Sequence, residues 1–453
     1  MSTQEKRGVF SSKLGFVLAA AGSAVGLGNI WRFPYLAAKY GGGAFLLTYI
    51  IFVVTLGFTI MMAEIAIGRK TQLSPIFAFK KLNKKYTIIG IVAVAVATII
   101  VGYYNVIGGW VAKYLFTFAT GNGAGAATDG FFSGFIGQPF EPLIWQALFI
   151  IAILAVVLNG VKKGIERVNK VLMPTLIILS IVIAVYTMTQ PGAMEGVKYF
   201  LIPDFSKFSV EGVLAALGQV FYSLSLAMGI MITYGSYVKK EEDMEKAVSH
   251  IEIFDTGVAL LAGLMIIPAV FAFSGGSQTE LGQGPGLMFN TLPKVFDSMP
   301  MGDLIGALFF LMVLFAALTS AMSLLEVIVA SVCDRFKVSR VKACLILGLI
   351  VFVIGIPSSL GNGIWSSFTI FGMDFLTFCD FLTNAVLMPL GAIATCLFIG
   401  WVIGVKSISD EVKLSSKFRR EKLFNVMVKY VAPIAILAVL VSSILSNLGI
   451  ITL

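Results

Sequence analysis

Long apolar stretches separated by short polar segments recur along the whole chain. We count eleven stretches of about 20 residues, each long enough to cross roughly 30 Å of hydrocarbon as a helix. They lie near 14–37, 43–68, 87–118, 142–159, 165–190, 212–237, 248–273, 302–333, 342–358, 368–404 and 426–449. Because they fill nearly the whole of 1–453, the pattern predicts an all-α integral membrane protein with a single transmembrane domain of eleven helices.

The first apolar stretch is interrupted at 19–35, AAAGSAVGLGNIWRFPY. It contains the three glycines Gly22, Gly26 and Gly28. These are followed by three residues that are unusual at membrane depth, Asn29, Arg32 and Pro34. Gly and Pro weaken a helix, and peptide groups released inside a bilayer need partners from protein, water or an ion. The Gly22–Gly26 spacing also fits a helix-packing face, but the polar residues and the proline favour a broken, functional helix.

A second interruption falls in 212–237, about five spans later. It combines glycines with two central hydroxyls: Gly218, Ser223, Ser225, Gly229 and Gly235. Interrupted helices at matching positions of two halves indicate an inverted-repeat transporter with its site near the bilayer midplane. We therefore expect one five-helix repeat in 1–190, a second in 211–405 and an eleventh helix in 424–450.

Composition supports a membrane domain, since 58% of the residues are hydrophobic, 13% are charged and the mean hydropathy is +0.94. The net charge of +9 does not indicate nucleic acid, because the Lys and Arg residues lie in alternate loops, as the positive-inside rule expects. This asymmetry predicts a multi-pass protein of the cell membrane with a cytoplasmic N-terminus and an extracytoplasmic C-terminus. Four scattered cysteines without a CxxC pair indicate neither a zinc site nor a disulfide framework.

Acidic residues inside apolar spans are costly, so they suggest function by default: Glu64, Asp255, Glu326, Asp374 and Asp380. Arg32 and Asp374 both fall towards the outer ends of their spans, and we predict that they pair as a gate above a central site. Snorkelling of Arg32 to the interface is the alternative. For Glu64 and Glu326 we favour hydrogen bonds to unwound backbone, and for His250, the only histidine, a structural role.

Adjacent hydroxyls occur in FAALTSAMSLLE, 315–326, where Thr319 and Ser320 have small neighbours. Hydroxyl, carbonyl, amide and carboxylate oxygens are hard donors that suit small hard cations rather than transition metals. Ordinary hydrogen bonding between helices is the alternative for this segment on its own.

These motifs resemble the neurotransmitter:sodium symporter family, the group of the bacterial leucine transporter. The similarity covers almost the whole chain and rests on GSAVGLGNIWRFPY at 22–35, GGGAF at 41–45, KGIERVNKVLMP at 163–174, GQVFYSLSLAMG at 218–229, ITYGSYV at 232–238, FAALTSA at 315–321 and MDF at 373–375. The resemblance implies a leucine-transporter-type 5+5 inverted repeat with discontinuous first and sixth helices. Ending after eleven spans is typical of a bacterial subgroup that includes multi-hydrophobic amino-acid and tyrosine transporters.

The resemblance also implies two Na⁺ sites and one amino-acid site. The first sodium site would use Ala24, Asn29, Ser223 and Asp255, together with the substrate carboxylate. The second would use Gly22, Val25, Ala316, Thr319 and Ser320. The substrate would lie among Ala24, Leu27, Gly28, Ile100, Tyr104, Tyr222, Ser225, Met228, Ser320 and Leu324. An anion at backbone N–H groups near a half-helix N-terminus fits the field of the helix dipole.

The matching positions also indicate specificity. The pocket is apolar with no charge directed at the side chain, which implies a hydrophobic or aromatic amino acid. Met228 stands where the leucine transporter has a bulky aromatic residue, and Met is adaptable, while Ala227 stands where that protein has Gly. The positions that hold chloride in animal members read Tyr49, Gln219, Ser223 and Asp255 here. Because Asp255 already supplies a negative charge, we expect transport without chloride.

Gates follow from the same resemblance. Arg32 and Asp374, with Tyr222 as an aromatic lid, would close the outside, and Arg7 with Asp334, supported by Tyr237 and Ser236, would close the inside. Gly164 and Pro174 would let the fifth span unwind and admit water to the second sodium site, since Pro and Gly weaken the helical ladder.

The predicted function is therefore sodium-driven symport of a hydrophobic or aromatic L-amino acid by alternating access. A proton-coupled transporter of the same architecture is the alternative, and a sensor that binds without transport is another. A membrane enzyme is not indicated, because the chain has no HExxH motif, no paired-aspartate motif and no Ser/His constellation around its single histidine.

Overall fold

The computed structural model describes residues 8–274 and 284–447. Over these ranges the chain is helical, and its only bridges outside helices are Gly42–Pro203 and Ile370–Met373. The main helices are α1 Lys13–Ala24, α2 Gly28–Lys39, α3 Gly43–Thr71, α4 Lys84–Ala119, α5 Glu141–Val157, α6 Val161–Met188, α7 Val210–Ser223, α8 Ile230–Gly235, α9 Met244–Phe273, α10 Gly302–Phe336, α11 Arg340–Leu360, α12 Phe375–Ile403 and α13 Glu421–Ser446.

Shorter helices connect these elements: Pro75–Leu82, Gly123–Ala126, Phe131–Ile136, Ala193–Leu201, Leu287–Thr291, Leu292–Asp297 and Val405–Lys413. Within the described ranges, eight helices (α3, α4, α6 and α9 to α13) are long and apolar enough to cross a membrane. The predicted total of eleven is reached only if the bent pair α1/α2, the 17-residue α5 and the short pair α7/α8 also count as crossings. The all-α membrane fold is confirmed, whereas the number of crossings stays a prediction.

The break between α1 and α2 bends the chain by 56°. Helix α1 starts at the cap Ser12, whose hydroxyl accepts from the Gly15 N–H, and it ends where Val25 turns extended, with φ −72° and ψ 98°. The close approach of Gly28 to α7 explains its lack of a side chain, because a Cβ there would lie 2.3 Å from the Tyr222 ring. The first interruption of the apolar pattern is therefore a real break, as predicted.

The second break lies between α7 and α8. Ser225, Ala227 and Gly229 all have positive φ, at 52°, 61° and 76°, so every second residue of the turn takes the left-handed conformation. The Glu64 carboxylate of α3 accepts a 2.8 Å hydrogen bond from the Ala227 N–H. Glu64 therefore supports unwound backbone, as the sequence indicated, and it offsets part of the cost of releasing peptide groups at this depth.

Packing places the first break at the centre of the molecule. Helix α1 contacts α6, α9 and α10, and α4 lies along α10. Helix α12 begins at Phe375 rather than near 368, because the chain turns at 361–374 and the Asp374 side chain caps the helix by accepting from the Thr377 N–H. Helices α6, α9 and α10 thus pack around α1, the helix that ends at the first break.

Candidate functional site

A buried carboxylate lies beside the first break. We call Asn29, Tyr49, Ser223 and Asp255 the Asp255 cluster; they come from α2, α3, α7 and α9 and are almost completely buried. Asn29 Nδ2 donates to Asp255 Oδ1 at 2.8 Å, Tyr49 Oη donates to Asp255 Oδ2 at 2.8 Å, and Ser223 Oγ donates to Asp255 Oδ1 at 2.8 Å. Three donors therefore hold one negative charge at a fixed position.

The peptide groups of the first break are also bonded by side chains. Asn29 Oδ1 accepts from the Gly26 N–H at 3.2 Å, and Gln219 Nε2 donates to the Gly28 carbonyl at 3.0 Å. Asn29 thus bonds to both the broken backbone and the Asp255 carboxylate, which ties the geometry of the break to the cluster.

A neutral group of oxygens lies on the other side of the same break. We call Gly22, Val25, Ala316, Thr319 and Ser320 the second oxygen cluster. Thr319 Oγ1 donates to the Ala316 carbonyl at 3.0 Å, and Ser320 Oγ lies 3.4 Å from the Val25 carbonyl oxygen. The structure therefore brings α10 against the end of α1, as the motif match required, with carbonyl and hydroxyl oxygens and no formal charge.

The residues predicted to hold a substrate surround both breaks. Tyr104 Oη lies 3.5 Å from the Leu27 N–H, and Ser225 Oγ donates to the Ser23 carbonyl at 2.8 Å. The Tyr222 ring, which is partly exposed, packs on Gly28. The remaining members are buried apart from small exposed fractions of 3 to 7%: Ala24, Ile100, Met228, Ser320 and Leu324. The lining is thus mostly apolar, and its polar atoms are close to the backbone of the breaks.

The pairing of Arg32 with Asp374 is not formed. Asp374 Oδ1 accepts from the Thr377 N–H at 3.0 Å and so caps its own helix. The acid in electrostatic contact with Arg32 is Asp380, which also accepts from Tyr103 Oη at 3.1 Å. The Arg32 guanidinium lies over the Tyr222 ring, 5.2 Å from its centroid. The sequence contained one signal for this partner, since Asp380 lies deeper in its span than Asp374.

A different set of polar contacts lies at the end of the molecule that contains residues 8–12. Tyr237 Oη donates to Glu326 Oε1 at 2.7 Å, and Arg340 forms an ion pair with the same carboxylate. The expectation that Glu326 bonds to unwound backbone is therefore wrong. Asp334 accepts from the Ser74 N–H at 2.9 Å, and its predicted partner Arg7 lies outside the described residues.

Helix α6 runs without interruption through both residues that were expected to loosen it. Gly164 lies in a wide turn at Val161–Glu166, and a Cβ on it would lie 2.1 Å from the Val156 carbonyl oxygen. Pro174 is exposed within the helix. The wide turn is also attached to the N-terminal segment, because Glu166 accepts from the Ser11 N–H at 2.8 Å. Unwinding of α6 stays a prediction.

Two broken helices that enclose a carboxylate and a set of hydroxyls inside an apolar bundle are the architecture of secondary transporters. The Sodium:neurotransmitter symporter family model matches residues 7–127 and 136–450. The chain belongs to this family, which confirms the resemblance seen in its motifs. Since the family consists of transporters, the chain is a multi-pass membrane transport protein and not an enzyme.

Individual relatives agree with this assignment. The chain is 39% identical to YhdH of Bacillus subtilis, an uncharacterized sodium-dependent transporter, over 96% of this chain and 98% of that protein. It is 26% identical to the sodium- and chloride-dependent GABA transporter 2 of Homo sapiens, over 90% of this chain and 75% of that protein. The crystal structure of MhsT in complex with L-phenylalanine matches with a TM-score of 0.87 and 44% identity, over 96% of this chain and 100% of that chain.

Proposed function

We propose that this protein couples Na⁺ entry to the uptake of hydrophobic and aromatic L-amino acids by alternating access, without chloride. The observation that carries the proposal is that mostly apolar, buried residues around the two breaks lie beside the fixed carboxylate of Asp255. Membership of a sodium symporter family and the fold shared with MhsT, which was crystallised with L-phenylalanine, support it. The cell membrane, a cytoplasmic N-terminus and an extracytoplasmic C-terminus complete the proposal.

The first Na⁺ would bind at the Asp255 cluster, with oxygens of Ala24, Asn29, Ser223 and Asp255. The substrate carboxylate would complete the shell, so ion and amino acid would share a bond. Each then raises the affinity of the other by the same factor, which is the thermodynamic basis of coupling. The hydrogen bond from Asn29 Nδ2 to Asp255 Oδ1, 2.8 Å long, supports a shared site for these two side chains.

The second Na⁺ would bind at the second oxygen cluster. Its donors are hard oxygens only, which fits an alkali cation. The work of transport would come from the sodium gradient and the membrane potential, which contributes about 2.3 kcal/mol per charge for each 100 mV.

The amino acid would bind between the breaks. Its carboxylate would meet the N–H groups of Leu27 and Gly28 at the start of α2, and the Tyr104 hydroxyl, which already lies beside Leu27. A positive helix end and backbone donors favour an anion there. Ser225 and the Tyr222 carbonyl would meet the ammonium group.

Room for a large side chain is supported by the placement of Ala227. A Cβ built at Gly391 of α12 would lie 3.8 Å from the Ala227 methyl group, so this methyl lies towards α12. The flexible Met228 and the aliphatic Ile100 and Leu324, all buried, would line the proposed pocket. Such a lining suits apolar side chains of several sizes.

Closure would alternate between two ends. Outside, Arg32 and Asp380, rather than Asp374, would act with the Tyr222 lid. Inside, Arg7 and Asp334 with Tyr237 would close the path. Unwinding of α6 between Gly164 and Pro174 would then admit water to the second Na⁺.

Chloride independence follows from the electrostatics of the Asp255 cluster. A chloride ion at the matching positions would lie next to the buried Asp255 carboxylate, which already accepts hydrogen bonds from Asn29, Tyr49 and Ser223. Two anions in a site of low dielectric repel strongly. The carboxylate therefore occupies the place that chloride would need.

The decisive experiment is a competition panel with purified protein in proteoliposomes. Uptake of radiolabelled L-phenylalanine is measured against an excess of each standard amino acid, with Na⁺ or with choline, at fixed pH. We expect competition from Leu, Met, Phe, Tyr and Trp, none from charged amino acids, and no uptake in choline. Uptake that persists in choline and follows a proton gradient would instead establish proton coupling, and binding without flux would establish a sensor.

A further inference from the structure

One buried amide oxygen beside the second oxygen cluster has no hydrogen-bond partner. Asn169 lies on α6 between Gly164 and Pro174 and is fully buried. Its Nδ2 donates to the Ile165 carbonyl of its own helix at 2.8 Å, while its Oδ1 is unpartnered. Buried side-chain acceptors in proteins are rarely left without a partner. The unused oxygen therefore requires an explanation.

The Oδ1 atom points at the first helix. A Cβ built on Gly22 would lie 2.1 Å from Asn169 Oδ1 and 3.2 Å from the sulfur of Met173. The orientation of the amide is fixed, because exchanging its two ends would place Oδ1 against the Ile165 carbonyl oxygen and lose the only hydrogen bond. The amide oxygen thus faces α1 at Gly22, a proposed ligand of the second Na⁺.

The surroundings favour a cation over a protein donor. Around the Cβ position of Gly22 the nearest atoms are those of the Asn169 amide and the Met173 sulfur, and neither Gly22 nor Met173 has a side-chain N–H or O–H group to donate. An amide oxygen is a hard ligand for an alkali ion. The oxygen is also placed on the helix whose unwinding would open the second site, midway between the two residues that weaken that helix.

We propose that Asn169 Oδ1 is a transient Na⁺ ligand, the first oxygen that the ion meets as it leaves the second oxygen cluster towards α6. The inference rests on the proposed function. In the wound state of α6 the oxygen faces Gly22 without binding a donor. As α6 loosens, the ion exchanges its cluster ligands for water, and Asn169 supplies an intermediate ligand that lowers the barrier to release.

The test separates equilibrium binding from release. Asn169→Leu removes the oxygen at similar volume among apolar neighbours, and Asn169→Asp keeps an oxygen and adds a charge. The control Ser180→Ala alters another fully buried polar residue of α6, whose hydroxyl bonds to the Leu176 carbonyl. For each, the half-saturating Na⁺ concentration for L-phenylalanine binding is measured in detergent, and the turnover of uptake in proteoliposomes.

We expect Asn169→Leu to lower turnover about tenfold with half-saturating Na⁺ within about twofold of wild type, as for loss of one contact to an ion. Asn169→Asp should lower half-saturating Na⁺ about tenfold, because the transient position becomes a resting one. Ser180→Ala should behave as wild type. Wild-type turnover in Asn169→Leu would overturn the inference, and so would Na⁺ binding in Asn169→Asp that is no tighter than in wild type. Equal weakening of Na⁺ binding in both variants would also overturn it, because it would indicate a structural role.

Failure of this inference is distinguishable from failure of the proposed function. Normal sodium dependence in a Thr319→Ala variant would refute the proposed second sodium site itself. If Thr319→Ala weakens Na⁺ binding as expected while Asn169→Leu keeps wild-type turnover, only the role of Asn169 as a transient ligand would be refuted.

Discussion

The Asp255 cluster and the second oxygen cluster lie at the same break and are held together differently. In the Asp255 cluster the side chains bond to one another around a buried carboxylate. In the second cluster the hydroxyls of Thr319 and Ser320 bond to backbone carbonyls of Ala316 and Val25, and the cluster contains no charge. One site is fixed by side chains of four helices, while the other depends on how closely α10 and α1 approach.

Their surroundings differ in the same sense. The Asp255 cluster is enclosed by α2, α3, α7 and α9. The second cluster borders α6, the helix that carries Gly164, Pro174 and the unpartnered oxygen of Asn169. A charged, enclosed site suits tight binding coupled to the substrate, and a neutral site beside a weakened helix suits release. Under the proposed function, the two clusters at this break would serve one transport cycle, one for retention and the other for release.

Removing the charge of the first site should have the largest effect. We expect Asp255→Ser to lower Na⁺-driven uptake in gluconate medium by at least about a hundredfold, because deleting one member of a buried charge pair costs about 3–5 kcal/mol. Chloride should restore part of this uptake, since the donors Asn29 and Tyr49 then face a space that an anion fits. Uptake of radiolabelled substrate in proteoliposomes measures both effects.

The matched control is Asp129→Asn, which removes the carboxylate of a highly exposed residue that pairs with Lys294. It should leave uptake unchanged in either medium. Wild-type uptake that collapses when gluconate replaces chloride would contradict the chloride-independent mechanism, and so would normal uptake by Asp255→Ser.

A smaller effect is expected at the second site. Thr319→Ala removes one hydroxyl oxygen from the proposed second Na⁺ site, and contacts of a charged group are worth about 1.5–3 kcal/mol. The half-saturating Na⁺ concentration for substrate binding should therefore rise by roughly tenfold to a hundredfold, with binding still attainable at high Na⁺. Equilibrium binding of radiolabelled L-phenylalanine over a Na⁺ series checks this.

Thr59→Ala provides the control for that series. Thr59 is fully buried, and its hydroxyl bonds to the Thr55 carbonyl of its own helix in the same way that Thr319 bonds to its own helix. Its loss should not change the Na⁺ series. If the two threonine variants gave the same dependence of substrate binding on Na⁺, Thr319 would be an ordinary helix hydroxyl and not a Na⁺ ligand.

The breaks were predictable from the sequence, whereas several partners were not. Gly, Pro and Asn within apolar spans are costly, so their clustering at 22–34 and 218–235 already indicated where helices would end. The sequence predicts Asp374 as the partner of Arg32 because both residues fall towards the outer ends of their spans. The turn at 361–374 instead makes Asp374 a cap and places Asp380 near Arg32.

Contacts between the ends of successive helices could also not be predicted from the pattern of apolar and polar residues. The partner of Glu326 is Arg340, which lies beyond the end of α10 and reaches back from the start of α11. Asn169 is an unremarkable polar residue in an apolar helix. Only the three-dimensional structure shows that its oxygen is unpartnered and faces Gly22. Such features depend on which neighbours arrive in space, and periodicity along one chain does not record this.

The smallest predicted effect concerns release and should leave both sites intact. Pro174→Ala restores a backbone N–H that can bond to the Lys170 carbonyl, and one such bond is worth about 0.5–1.5 kcal/mol net. Because Pro174 is exposed, little else should change. We expect turnover to fall roughly twofold to tenfold while half-saturating Na⁺ stays unchanged, as measured by proteoliposome uptake alongside equilibrium binding.

Gly164→Ala does not test the same step, because its Cβ would lie 2.1 Å from the Val156 carbonyl oxygen and would disturb the wound state itself. The better control is Pro357→Ala, which restores a peptide N–H inside α11, a helix with no residue in either cluster. Turnover should then match wild type. If Pro174→Ala shifted the Na⁺ series as strongly as Thr319→Ala, or if Pro357→Ala slowed turnover equally, α6 would not be the release element that distinguishes the two sites.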